Sequence, residues 1–274
     1  MQTQSAQAPD FDTVIGAIRR EYEVLNRWLA ALDARAWQGA TACSEWSVAK
    51  VVSHLGSGAE ITLQTLEEQL TGGPPADQEA RQRVWSHFDS LTAPQPLYDE
   101  FRDRNEKYFA YLAALPAARR AQSVKFFAGE LPVAGFALYR LGEFTLHSWD
   151  IRVGLDPTAR LLASTMGPYL PQALATMNRR ANKDAKQALD DTAWNFALWG
   201  PVERQFAVIV RDGNVEAADE PPGTPAASLR MSTEAFCRLC VGRLPLEQAE
   251  RDGEVDIGGD RAAALRLNEL FPGF

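Results

Sequence analysis

The sequence is poor in cysteine, in positive charge and in long apolar runs, and each shortage excludes a class of protein. Three cysteines in 274 residues do not make a disulfide framework, so we expect a reducing, cytoplasmic location. Lys and Arg total 28 against 36 Asp and Glu, a net charge of −8, which argues against nucleic-acid binding. Apolar runs fall short of the roughly 18 residues that span a bilayer, so no membrane partner is expected.

The remaining composition is that of a folded protein with a sizeable core. Hydrophobic residues make up 46% and charged residues 23% of the chain, which excludes disorder over most of its length. At roughly 150 residues per domain, the length suits one large domain or two small ones.

Apolar residues recur every three or four positions in the first part of the chain, which predicts amphipathic helices. The predicted helices cover residues 11–33, 48–70, 96–115 and 133–155. Ser47 is a suitable N-cap for the second helix, and the segment after that helix, from Gly72 to Ser90, is predicted to be a polar loop. Four long helices joined by loops predict a helical bundle.

The pattern changes in the last third of the chain. A further helix is predicted at 168–183, and the charged run at 183–186 is taken as the domain boundary, which gives domains at 1–185 and 186–274. A hairpin is predicted at 205–218, short strands at 227–231 and 254–257, and helices at 232–241 and 261–271. The predicted fold class is therefore α+β and mostly α, with a small α+β domain after the bundle.

A stripe of polar residues on the fourth helix could carry chemistry. Arg140, Glu143, His147 and Asp150 are spaced by three, four and three residues and so share one face. Glu143 and His147, one helical turn apart, could bind one metal ion together, and His54 on the second helix could supply a third ligand. A solvated face with ordinary salt bridges is the alternative, because an acid stands four residues before a histidine about one time in eight by chance.

Two segments carry a family resemblance. The run WSVAKVVSHL at Trp46–Leu55 and the run EFTLHSWD at Glu143–Asp150 lie about ninety residues apart. They resemble the matching segments of the mycothiol-dependent maleylpyruvate isomerase family, which belongs to the DinB-like metal-binding four-helix bundles. The segments at 242–244 and 252–260 resemble a sterol-carrier-like C-terminal domain, which accompanies many members of that family.

The resemblance implies a metal centre and a thiol cosubstrate. His54, Glu143 and His147 would bind a divalent metal, most often Zn²⁺, with water in an open position, and mycothiol would be the cosubstrate. A bound metal lowers the pKa of a thiol and so favours the nucleophilic thiolate. The expected function is a mycothiol-dependent isomerase or S-transferase that acts on a small electrophilic substrate.

Three further residues are candidates for the reaction. Asp150 could orient a ligand imidazole, although a plain surface acid is an equal alternative. Arg140 or Arg243 could hold an acidic substrate, although a structural salt bridge would explain either residue as well. Two other functions stay open at this point: a small-molecule binding module with a structural metal, and a metal-dependent hydrolase that uses water. The sequence does not predict the substrate or the oligomeric state.

Overall fold

The computed structural model describes residues 9–74, 77–126, 129–221 and 223–273, which form two compact units. The N-terminal unit is Pro9–Arg160, and the C-terminal unit begins at Leu161. The division lies earlier in the chain than the predicted boundary at 185/186. The reason is packing: the helix at Ala163–Arg180, assigned from the sequence to the first domain, packs on a strand and a helix of the second unit.

The N-terminal unit is the predicted four-helix bundle, with some additions. Its elements are α1 (Phe11–Ala30), α2 (Val48–Leu70), α3 (Gln78–Ser90), α4 (Pro94–Ala114), α5 (Ala117–Arg120), β1 (Ser123–Phe126), β2 (Gly129–Pro132) and α6 (Val133–Leu155). In the bundle, α2 packs on α4 and α6, and α1 packs on α6. The predictions for α2 and α6 are confirmed residue for residue. Ser47 caps α2 as predicted, because its side chain accepts the backbone N–H of Lys50.

The main local error in this unit is the loop predicted from Gly72 to Ser90. From Gln78 to its end at Ser90 this segment is the helix α3, which is capped by Asp77, whose side chain accepts the N–H of Ala80. Polar residues dominate α3, and Phe88 is its buried side chain, so the apolar periodicity that reveals a helix is missing. The ring of Phe88 packs against Gly56 of α2, where a side chain would collide with it.

The C-terminal unit is α+β, as predicted. Its elements are α7 (Ala163–Arg180), α8 (Lys183–Ala188), β3 (Ala193–Trp199), β4 (Arg204–Arg211), β5 (Asn214–Ala218), β6 (Ala227–Ser232), α9 (Thr233–Leu239), α10 (Leu246–Arg251), β7 (Val255–Gly259), α11 (Arg261–Leu265) and α12 (Leu267–Leu270). The strands form one sheet in the order β5-β4-β3-β6-β7. The predicted hairpin, β4 with β5, is confirmed, as are β6 and β7.

The central strand of this sheet, β3, was missed from the sequence. It pairs antiparallel with β4 and parallel with β6. Its first two residues, Ala193 and Trp194, are both buried, so the strict alternation of a half-buried strand is blurred there. Trp194 anchors the strand by donating Nε1–H to the backbone oxygen of Ala263 at 2.9 Å.

None of the helices within the described residues is both long enough and apolar enough to cross a membrane.

Candidate metal centre

The facing sides of α2 and α6 bring three predicted ligands together. His54 lies on α2, and Glu143 and His147 lie one turn apart on α6. Nε2 of His54 is 2.8 Å from Oε2 of Glu143, and Nε2 of His147 is 3.9 Å from the same oxygen. One ligand atom from each residue lies within 4.8 Å of both others. The long-range packing of α2 on α6 therefore adds the histidine that the sequence placed on a separate helix.

The donor set suits a divalent metal. Two imidazole nitrogens and one carboxylate oxygen form a ligand set found in catalytic zinc sites. Zinc bonds to nitrogen and oxygen measure ~2.0–2.2 Å, so the donor atoms of a tetrahedral site lie about 3.4 Å apart. The 2.8 and 3.9 Å separations at Glu143 fall on either side of that distance. The three side chains therefore fit the metal that the family resemblance implies.

Asp150 lies behind the ring of His147, on the side away from Glu143. Its carboxylate is fully buried, and Oδ2 is 3.0 Å from Nδ1 of His147. A carboxylate accepts hydrogen bonds, so this contact favours the tautomer with the proton on Nδ1 and the lone pair on Nε2. The backbone oxygen of Asp150 also accepts the N–H of Ala42, which ties the loop before α2 to α6.

The electrostatics of the cluster keep its carboxylate ionised. Burial by itself raises the pKa of Glu143, but the hydrogen bond from His54 and the charges of His147, His54 and Arg140 outweigh burial and bring the pKa to about 2. The pKa of His54 is lowered, chiefly by burial and against the pull of Glu143. An ionised carboxylate and a neutral imidazole are the forms that bind metal.

Trp46 lies in the loop before α2, and its ring packs against both histidines of the cluster. Its ring centroid is 5.0 Å from that of His54 and 5.6 Å from that of His147, and it is nearly parallel to the latter. This contact was not predicted from the sequence. The position of Trp46 just before the N-cap Ser47 was the available signal, because a residue there reaches back over the first turns of α2.

A second cluster shares His147. Cys43, His147 and Asp150 also offer ligand atoms within 4.8 Å of one another. Because Nδ1 of His147 already faces Asp150, this cluster lies on the opposite edge of the ring from Glu143. Asp150 is the member of this cluster that contacts the ring, and a ligand histidine commonly donates its other N–H to a carboxylate.

Arg140 lies one turn before Glu143 and is 2% exposed. Its Nη2 donates to the backbone oxygen of Leu55 and to Oδ1 of Asn105, and its guanidinium lies 4.7 Å over the ring of Phe144. Burial lowers the pKa of Arg140, opposed by nearby groups that include Glu143. Within the part of the chain that the structure describes, Arg140 makes no salt bridge. The structural salt bridge that the sequence left open as an explanation of Arg140 is therefore not formed there.

The structure does not add Arg243 to this cluster. Arg243 belongs to the C-terminal unit, where its backbone N–H donates to the oxygen of Arg238 and its side chain lies near Gly273. Its role in the reaction stays a prediction.

A cavity of about 360 Å³ opens beside the metal ligands, within the N-terminal unit. Its lining includes the polar side chains of His54, Glu143 and Arg140 together with several aromatic side chains. Ser57 and Gly58, two small residues of α2, also line it. The cavity therefore offers room for a ligand that can reach the metal ligands and Arg140 at once.

Comparison with known proteins assigns both parts of the chain. Residues 18–152 match the mycothiol maleylpyruvate isomerase N-terminal domain, and residues 171–272 match the SCP-2 sterol transfer family. No curated protein sequence is significantly similar to the chain.

Two solved structures share its fold. The crystal structure of the mycothiol-dependent maleylpyruvate isomerase superposes with a TM-score of 0.63 at 13% identity, over 89% of this chain and 92% of that one. A histidine-to-alanine mutant of the mycothiol-dependent maleylpyruvate isomerase superposes with a TM-score of 0.62 at 12% identity over the same shares. The chain therefore combines a region that matches the mycothiol maleylpyruvate isomerase N-terminal domain with a region that matches the SCP-2 sterol transfer family.

Proposed function

We propose that this protein is an enzyme that uses a metal-activated low-molecular-weight thiol, mycothiol, to isomerise a small electrophile or to transfer the thiol to it. The observation that carries the proposal is the convergence of His54, Glu143 and His147 beside a cavity. The N-terminal domain match supports mycothiol as the thiol. None of the three cysteines, all of which lie in the described residues, forms a disulfide, as is usual in the reducing compartment proposed for the enzyme.

The chain's own residues have distinct roles in this proposal. His54, Glu143 and His147 hold a divalent ion, with zinc favoured by the donor set, and Asp150 fixes the ring of His147. A metal bound there supplies one chemistry, the lowering of a thiol pKa so that thiolate is present at neutral pH. Arg140 attracts an anionic group of the substrate into the cavity.

Isomerisation and thiol transfer need the same site. Both begin with addition of the thiolate to an electron-poor carbon, which moves the electron pair of the double bond onto the substrate as an enolate. In isomerisation the adduct rotates about the resulting single bond and expels the thiolate, whereas in transfer the enolate takes up a proton and the thioether is the product. In either case Arg140 must hold the electrophile still while the carbon–sulfur bond forms, because a positioned substrate reacts far faster than a diffusing one.

Metal content and thiol dependence test this proposal together. We expect purified protein to hold about one equivalent of zinc by mass spectrometry, a His147→Ala variant to lose it, and turnover to require added thiol. His87→Ala is a matched control, because His87 is half exposed on α3 and pairs with Glu100 at 3.3 Å instead of joining the cluster. Turnover without thiol would replace this function with metal-dependent hydrolysis by water.

The C-terminal unit favours a second role. Its match to the SCP-2 sterol transfer family supports binding of an apolar small molecule by residues 171–272. If the wild-type protein held no metal and showed no thiol-dependent turnover, a binding module would be the better description. Retention of a fluorescent sterol or fatty acid by the purified protein would then be the direct measurement.

A further inference from the structure

Arg140 is a buried cation whose hydrogen-bond donors are only partly used. Its hydrogen bonds engage Nη2, whereas Nε is buried without a partner. Nη1 lies beside Gly58, where an added Cβ would stand 2.7 Å from it. An unpaired buried guanidinium is costly unless an anion completes it, because both charge and N–H groups lose water. Arg140 borders the cavity, so a ligand there can supply the missing anion.

The charge of the cavity sets how many anions it accepts. Of the described residues that border it, Lys50 and Asp89 pair with each other at 2.6 Å, which leaves Arg140 and Glu143 as one positive and one negative charge. Arg140 is thus the one cation among these bordering residues without a carboxylate partner. The cavity therefore offers one site for an anionic group, and a second carboxylate would find no further unpaired cation among them.

Aromatic side chains also border the cavity. Trp85 of α3 lines it although it is 38% exposed, and Phe126 and Tyr139 pack edge to face with ring centroids 6.2 Å apart. Trp46 closes the end nearest the histidines. Flat apolar walls favour a flat ligand, because aromatic rings stack with offset faces or edges. The volume of about 360 Å³ falls in the range of pockets for drug-sized ligands, so a ring fits with its side chain.

We infer that the cavity selects a planar, conjugated electrophile that bears a single carboxylate, with the carboxylate on Arg140 and the conjugated system between Trp85 and the Phe126–Tyr139 pair. This inference rests on the proposed function for the reaction that follows, but the binding geometry stands on the cavity alone. It identifies Trp85 and Gly58 as specificity-determining residues.

Calorimetric titration of three probes tests the inference on the protein as purified. The probes are trans-cinnamate, its neutral counterpart cinnamamide, and maleate, which has two carboxylates and no ring. We expect cinnamate to bind at least tenfold more tightly than either of the other two. Equal affinities for cinnamate and cinnamamide, tighter binding of maleate, or no binding of cinnamate would each overturn the inference.

Variants test which residue contacts the carboxylate of the probe and which contacts its ring. Arg140→Gln is expected to weaken cinnamate at least tenfold and to leave cinnamamide unchanged, whereas Trp85→Ala weakens both about fivefold. Trp199→Ala is the matched control, since Trp199 is 47% exposed in the C-terminal unit, and it should change neither. Wild-type affinity for cinnamate in Arg140→Gln would refute the anion site.

A second variant tests the same anion site if Arg140→Gln fails to fold. Gly58→Ala favours the helix and places a methyl group against Nη1, so it should weaken cinnamate several-fold and spare cinnamamide. Unchanged cinnamate affinity in Gly58→Ala would contradict the access route. Zinc content and thiol-dependent turnover, measured on the same samples, report on the proposed function separately, so failure of one proposal is visible apart from failure of the other.

Discussion

Removal of the Asp150 carboxylate tests whether this residue supports the metal centre. Asp150 is fully buried and lies 3.0 Å from Nδ1 of His147. In Asp150→Ala the imidazole loses the partner that orients it, and partners of this kind contribute ~10–100-fold to metal affinity. At about 1.4 kcal/mol per factor of ten, the expected loss is about 1.4–2.7 kcal/mol of zinc binding free energy.

Competition with a chromophoric chelator measures this loss directly. Asp150→Asn keeps an oxygen that can accept from Nδ1, so it should recover much of the affinity. Asp89→Ala is the control: Asp89 borders the same cavity but is half exposed and pairs with Lys50, so its removal should change zinc affinity less than twofold. A zinc affinity of Asp150→Ala within twofold of wild type would refute the supporting role, and with it the reading of His147 as a ligand through Nε2.

Three stability predictions follow from the packing. Phe88→Ala removes the buried anchor of α3 and should cost about 3–5 kcal/mol in urea unfolding if the helix stays docked, or less if it detaches. Arg238→Met removes the cation that binds the carboxylates of Glu234 and Glu254 at 2.8 and 2.6 Å, and it should cost ~3–5 kcal/mol because these ion pairs are largely shielded from water. A loss below about 1 kcal/mol, the scale of an exposed pair, would mean that water reaches the carboxylates. Trp194→Phe deletes one hydrogen bond between β3 and α11 and should cost ~1 kcal/mol, read from the thermal midpoint.

Elements with strong local signals were predicted well from the sequence. The helix α2 has a capping serine before it and a run of buried aliphatic residues within it, and both of its ends were placed correctly. The prediction for α6 was equally accurate, and Gly154 and Pro157 are the local signals that close it. In these helices the residues that decide the ends are adjacent in the chain.

Elements that depend on distant partners were missed. The strand β3 is central because β4 and β6 flank it, and β6 comes from 33 positions further along the chain at the Trp194–Ala227 pair. The helix α3 is stabilised through Phe88 and its contact with Gly56, not through a periodic apolar face. The helix predicted at 261–271 is divided at Arg266, where α11 ends and α12 begins.

The candidate site likewise has one part that the sequence determines and another that only the tertiary structure determines. Helical periodicity alone placed Glu143, His147 and Asp150 on one face, since residues three and four apart are neighbours on any helix. The packing of α2 against α6 then decided what that face meets: His54 from 89 residues away, and a cavity bordered by a buried arginine without a salt bridge among the described residues. Such contacts arise from side-chain packing between helices, which the spacing of residues within one helix does not encode.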